Sequence, residues 1–306
     1  MENVQGILYP FDEGKSPDGK EVKSPAYADL IKTALEEDLE YKTWHQIVHS
    51  KDFGVPQTRP RFILIGIRKD LLVKASQIDP FKVVERVRKA FLQKKGLTTP
   101  VSTRAALGDL CTHESRLSQC PDMPRFRIGS YGKQTSPYQE LMHGNMNGAI
   151  ADSHRLANHR PDTIAKFRWL LDNCKKGKII RPKDRGIYAN SKHTMYVLNP
   201  QEPAPTVTTL PDDILHFEEP RILTVREMAR LQSFPDWFAF KGKYTTGSKE
   251  RVKECPRYTQ VGNAVPPLLA ETLGKAVDAC FEAVNEESRL SLELISRIKE
   301  IEAYAK

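Results

Sequence analysis

No C-x-x-C pair and no H-E-x-x-H segment occurs in the chain, and its five cysteines (Cys111, Cys120, Cys174, Cys255, Cys280) are scattered and odd in number. A disulfide frame and a zinc site both need close pairing, so the sequence speaks against each and no metal is expected. Reduced thiols suit the cytoplasm, and the polar, acidic start does not read as a signal peptide. No apolar run approaches a membrane span. No cysteine follows a proline, and no F-x-G-x-G loop is present. What remains is a globular composition, 39% hydrophobic and 28% charged, long enough for one large domain or two ordinary ones.

Charge is plentiful but uneven. Residues 71–200 hold 23 Lys/Arg against 10 Asp/Glu, a balance of +13 within a chain of net charge +8. The remainder is therefore mildly acidic, and the middle reads as a polyanion-binding insert or as a solvated basic surface.

The first seventy residues have an α/β texture. Ser24-Pro25 starts a helix with an apolar stripe at Ala28, Ile31, Ala34 and Leu35. Tyr41 to Val48 is strand-like, and Phe62 to Ile67 reads as a strand buried on both faces. From residue 71 the segments become short, basic and irregular, with only Pro161 to Leu171 clearly helical. Thr224-Val225-Arg226-Glu227 is a capping box, flanked by Leu223 and Met228 as a hydrophobic staple, and opens a helix that ends near Phe234. A further helix starts near Pro266-Pro267 and is expected to bury Leu269, Leu273, Ala276 and Val277. Leu292, Ile295, Ile298 and Ile301 give the last stretch an amphipathic helical pattern.

Four stretches carry the chemistry: ENV at 2–4, DFGVPQTRPR at 52–61, RILTVREMARLQSFPD at 221–236 and YTQVGNAVPPLLAETLG at 258–274. In that order and spacing they resemble the C-terminal motifs of the DNA cytosine-5 methyltransferases. The shorter PAPTVTT at 203–209 and TRAALGDL at 103–110 extend the match over nearly the whole chain.

The resemblance implies a base-flipping enzyme in which a cysteine thiolate adds to cytosine carbon 6 and carbon 5 takes the methyl of S-adenosyl-L-methionine. It makes Glu2 the acid at ring nitrogen 3 and Arg61 the contact to the cytosine carbonyl oxygen. Arg59 either shares that task or braces the loop. Gln57 is assigned to loop architecture, Arg226 and Arg230 to bracing the recognition domain, and Gly262 to a turn or a close backbone approach. Asn263 and Val265 become secondary cofactor contacts.

The implied fold is α/β: an incomplete Rossmann-like methyltransferase domain, its C-terminal half, with an inserted irregular α+β target-recognition domain. The expected limits are 1–70 for the catalytic part, 71–215 for target recognition, 216–280 for the return, and 281–306 for a terminal amphipathic helix. The missing Pro-Cys and F-x-G-x-G predict no activity alone. A partner N-terminal half or subunit would supply both and complete the methyl-donor site on double-stranded DNA. A stand-alone DNA-binding specificity protein and an RNA-directed member of the same family remain open alternatives.

Overall fold

The computed structural model describes residues 1–15, 21–72, 78–112, 116–146, 150–188, 195–245 and 253–284. The amphipathic stretch expected at 281–306 lies almost wholly outside the described residues. The chain divides into two compact units, residues 1–49, 60–91 and 271–306 in the first and 50–59 and 92–270 in the second. The segment 50–59 thus goes with the second unit, and 80–91 with the first.

In the first unit, β1 (Glu2–Asn3), β4 (Tyr41–His49) and β5 (Pro60–Arg68) make an antiparallel sheet of order β1-β5-β4. A hairpin of β2 (Phe11–Lys15) and β3 (Glu21–Ser24) and the helix α1 (Tyr27–Thr33) lie between them in sequence. The centre of β5 is buried at three successive residues, Phe62, Ile63 and Leu64, so both faces of the strand are covered. That explains the unbroken apolar run. Phe62 and Leu64 pack with Ile7 and Ala28, and Ile31, Leu35 and Ile47 close over them. Each such large side chain contributes about 1.5–3 kcal/mol by leaving water. Glu2 and Asn3 pair with Ile63 and Phe62, which fixes the ENV segment to the best-buried strand. The short α2 (Lys69–Leu72) and the long α3 (Pro80–Lys94) follow.

α3 corrects the expectation that only one helix interrupts the basic middle. Its buried positions Val83, Val84 and Phe91 recur at helical spacing after Pro80, a signal masked by the surrounding cations.

The second unit contains α4 (Thr103–Leu107), α5 (Pro137–His143) and α6 (Pro161–Asn173), with a three-stranded antiparallel sheet of β6 (Leu117–Gln119), β7 (Arg127–Ser130) and β8 (Ile150–Arg155). Helix α5 has Ser136 as its N-cap and Pro137 in its first turn, the usual start signal. A parallel pair, β9 (Tyr196–Val197) and β10 (Ile214–Leu215), packs beside α6 in a cluster of Phe167, Leu170, Leu171, Ile180 and Met195. Then come α7 (Val225–Leu231) and α8 (Arg257–Asn263); a last helix, α9, over residues 267–284, belongs to the first unit from residue 271 on.

The capping box at Thr224 forms as expected, with Glu227 reaching back to the Thr224 N–H. On α9, Val277 is 51% exposed rather than buried. The buried stripe runs through Leu269, Thr272, Ala276 and Cys280, and Val277 stands one residue, about 100°, off it. Among the described residues no helix is long and apolar enough to cross a membrane.

Candidate active site

In the first unit, Glu2 and Arg61 meet. Adjacent strands β1 and β5 carry them, and Glu2 Oε1 lies 2.8 Å from Arg61 Nε, with the Glu2 side chain 24% exposed. Arg61 is otherwise buried; its Nη1 donates to the Pro60 carbonyl at 2.8 Å, and Nη2 has no partner among the described residues. Burial lowers the Arg61 pKa and Glu2 pushes it back up, so the guanidinium remains charged beside its carboxylate. The arrangement is a fixed carboxyl group next to a cation with a donor to spare.

The other half of the QTRPR loop lies in the second unit and is densely hydrogen-bonded. Gln57 is completely buried: its Nε2 donates to the Leu231 carbonyl at 2.9 Å and to Gln232 Oε1 at 2.7 Å. Its Oε1 accepts from the Val207 N–H at 3.0 Å. Gln232 in turn donates to the Val261 carbonyl at 2.8 Å. Arg59 spreads its guanidinium over three carbonyls, Val207 at 3.1 Å, Gly262 at 3.0 Å and Ala264 at 2.9 Å. Its backbone sits at φ +23°, and its own carbonyl accepts from both the N–H and the hydroxyl of Ser50. So unusual a φ persists because the surroundings over-determine it. Arg59 therefore holds three carbonyls of the surrounding segments.

Gly262 lies inside α8, not at a turn. A Cβ there would stand 2.5 Å from the Thr208 carbonyl oxygen, so the close approach is the reason for glycine. Asn263 and Val265, the next residues but one apart, are both exposed.

The α7 arginines are buried among acids. Arg230 binds Asp109 through Nη1 at 3.1 Å and Nη2 at 3.0 Å, and Asp236 through Nε at 2.6 Å. Arg226 donates to Asp152 at 3.0 Å and to the carbonyls of Asp152, Pro235 and Phe238. Arg221 makes a bidentate pair with Glu227 at 2.8 and 2.7 Å. Burial alone would raise the Glu227 pKa, but Arg221 and neighbouring donors overcome it and hold the carboxyl well below the ordinary range. Asp109, Asp152, Asp236 and Gln232 escaped notice in the sequence. Asp109 is the penultimate residue of TRAALGDL and Asp236 closes SFPD, so the signal was an acid in each motif that met an arginine motif.

Among the described residues, Cys111, His216 and Glu219 bring one ligand atom each within 4.8 Å of one another. Each is already engaged. Cys111 donates to Glu218 at 3.1 Å, His216 Nδ1 accepts from the N–H groups of Glu218 and Glu219, and Glu219 accepts from the Thr112 N–H and from Arg221. An imidazole whose Nδ1 accepts keeps its proton on Nε2, which leaves no lone pair for a metal. The trio is a hydrogen-bond network.

Comparison with known proteins gives the chain relatives among the methyltransferases. The chain is 29% identical over 303 residues to the type II methyltransferase M.DdeI of Desulfomicrobium norvegicum, a match of 93% of this chain and 63% of that protein. Type II methyltransferase M.AquIB of Picosynechococcus is 38% identical over 138 residues, 44% of this chain and 94% of that protein. The fold resembles that of a putative DNA modification methyltransferase encoded within an E. coli prophage, with a TM-score of 0.56 at 20% identity over 92% of this chain and 68% of that one. Against M.DdeI and M.Bpa9945I of Bacillus paralicheniformis the chain spans only about three fifths of the relative's length, 63% and 59%. The model of the C-5 cytosine-specific DNA methylases matches residues 1–279, and the chain belongs to that family.

Proposed function

We propose that this chain provides the target-recognition region and the nitrogen-3 acid of a DNA cytosine-5 methyltransferase of the type II, restriction-modification kind. On this reading it is the C-terminal half of a Rossmann-like catalytic domain with a recognition domain inserted. The observation that carries the reading is the Glu2–Arg61 pair at 2.8 Å. A carboxylic acid at ring nitrogen 3 gives up its proton as electron density enters the ring, and the spare donor on Arg61 takes the carbonyl oxygen beside it. The basic segment 71–200 supplies phosphate contacts, and its loops read the bases.

The thiolate is the part these residues do not furnish. None of the five cysteines follows proline, and burial raises the thiol pKa of Cys111, Cys174 and Cys280, the reverse of what a nucleophile needs. Methyl transfer then depends on a Pro-Cys and an F-x-G-x-G supplied from outside this sequence, in the same polypeptide or in a second chain. S-adenosylmethionine would provide the methyl group. Asn263 and Val265 fit a secondary role toward it, since both are exposed and can lie against an edge of the molecule.

The test is reconstitution. The purified chain is expected to transfer no methyl group to duplex DNA, and to do so once a fragment bearing Pro-Cys and F-x-G-x-G is added. Robust transfer by this chain alone would overturn the proposal.

A further inference from the structure

Most buried arginines of the second unit face a carboxylate or a set of carbonyls, but Arg155, at the end of β8, does not. Its guanidinium carbon lies over two rings, 4.0 Å from the centre of Phe126 and 4.0 Å from that of Tyr244. Arg257 also lies over Tyr244, at 4.3 Å, and Arg125 over Phe126, at 5.1 Å. Three cations and two rings share one cluster. Arg155 is 9% exposed; Nη1 donates only to Met123 Sδ at 3.3 Å, and Nε has no partner among the described residues.

The two rings hold the guanidinium by cation–π contact, and its N–H groups are left poorly satisfied. Thioether sulfur is a weak acceptor. Behind Met123 and Tyr244, two of the residues in contact with Arg155, opens a cavity of about 600 Å³ whose wall also includes Lys243 and Arg257. Two carboxylates also line it, and both are engaged: Glu254 with Lys243 at 3.1 Å and Asp122 with Arg257 at 3.3 Å. The charge of Arg155 is left over. A buried cation without a counter-charge is costly, and a planar, unsatisfied fork suits an oxyanion.

We propose that Arg155 and the cavity beside it form an oxyanion seat, and that a phosphodiester of the DNA backbone fills it when Met123 swings aside. The choice of DNA over free phosphate rests on the proposed function; the seat itself does not.

Two variants of the full chain test this. Arg155→Gln removes the cation, and Met123→Glu gives it an internal carboxylate. Both should bind a random duplex roughly tenfold more weakly, with a salt slope lower by about 1, because a phosphate contact is sequence-independent. Met123→Glu should also melt higher than the parent, and Lys275→Gln, at an exposed position of α9, should change nothing. Met123→Glu that melts higher yet keeps the parent's affinity and slope overturns the proposal, and it decides the matter if Arg155→Gln fails to fold. Inorganic phosphate provides the second arm. If it stabilises the parent but not Met123→Glu while duplex binding is indifferent to both variants, the seat stands and the DNA assignment falls. If the parent binds no duplex at all, the proposed function fails, and the phosphate arm alone upholds or rejects the seat.

Discussion

Two groups of ion pairs in this protein differ in how much bonding capacity they leave unused. Around α7, every donor of Arg230 is met: Asp109 takes two, Asp236 takes two and the Ala106 carbonyl shares one. All three side chains are fully buried. The Glu2–Arg61 pair is a single contact with a half-open carboxylate and a spare guanidinium nitrogen. A saturated network can only hold a shape, whereas an unsaturated one can receive another molecule. That difference sets Arg61 of the QTRPR motif apart from Arg230 of the REMARLQSFPD motif, where residue type does not.

The comparison can be broken most forcefully at Arg230. Arg230→Met strands Asp109 and Asp236 in the interior, and urea unfolding should show a loss of about 3–5 kcal/mol or no folded protein. A loss below 1 kcal/mol would mean that the network is not structural.

Next in size is an effect of pH. Burial, aided by Arg221, lowers the His216 pKa from its ordinary 6.5 to about 4, while the nearby Glu227 works the other way. The fold thus prefers the neutral ring. Its contribution is complete above pH 6.5 and is lost as pH falls from 6.5 toward 4, on the order of 3 kcal/mol in all. His216→Asn keeps an acceptor for the two backbone N–H groups without titrating, and should flatten the stability profile in that window. Some slope will remain from His154, whose pKa burial also lowers. An unchanged profile would remove His216 from the account.

The smallest effect on folding and the most telling one on activity is expected at Glu2. Glu2→Gln in the completed enzyme should slow methyl transfer tenfold or more, roughly 1.4 kcal/mol in the barrier. Its cost in stability should remain under about 1 kcal/mol, as for a partly exposed pair. A variant as fast as the parent would favour a DNA-binding specificity protein.

Much of this was legible beforehand, for identifiable reasons. The capping box at Thr224 and the strand through Phe62 are local signals, complete within a few residues, and both formed as written. The Gln57 network was visible only as a motif, because its partners at 207, 231 and 232 are distant in sequence. Helix α3 was missed where cations dilute its apolar stripe, and Val277 was misplaced by one residue of helical phase. The Arg155 cluster could not be read at all. Its members come from residues 125–126, 155, 244 and 257, and no periodicity joins them.

The bonds at Thr103 and Arg104 have a wider consequence. Thr103 N–H donates to the Glu202 carbonyl at 2.9 Å, and Arg104 N–H to the Pro200 carbonyl at 3.1 Å, so the chain leaves and re-enters at one neck. Closing such a loop has an entropy cost that grows only slowly with its length. The stretch between could be exchanged for one of another size without disturbing its ends. The graft would have to bring its own acids at the places of Asp109 and Asp152, since the arginines of α7 wait for them. If the proposed function holds, the segment is in this sense a cartridge keyed by two carboxylates.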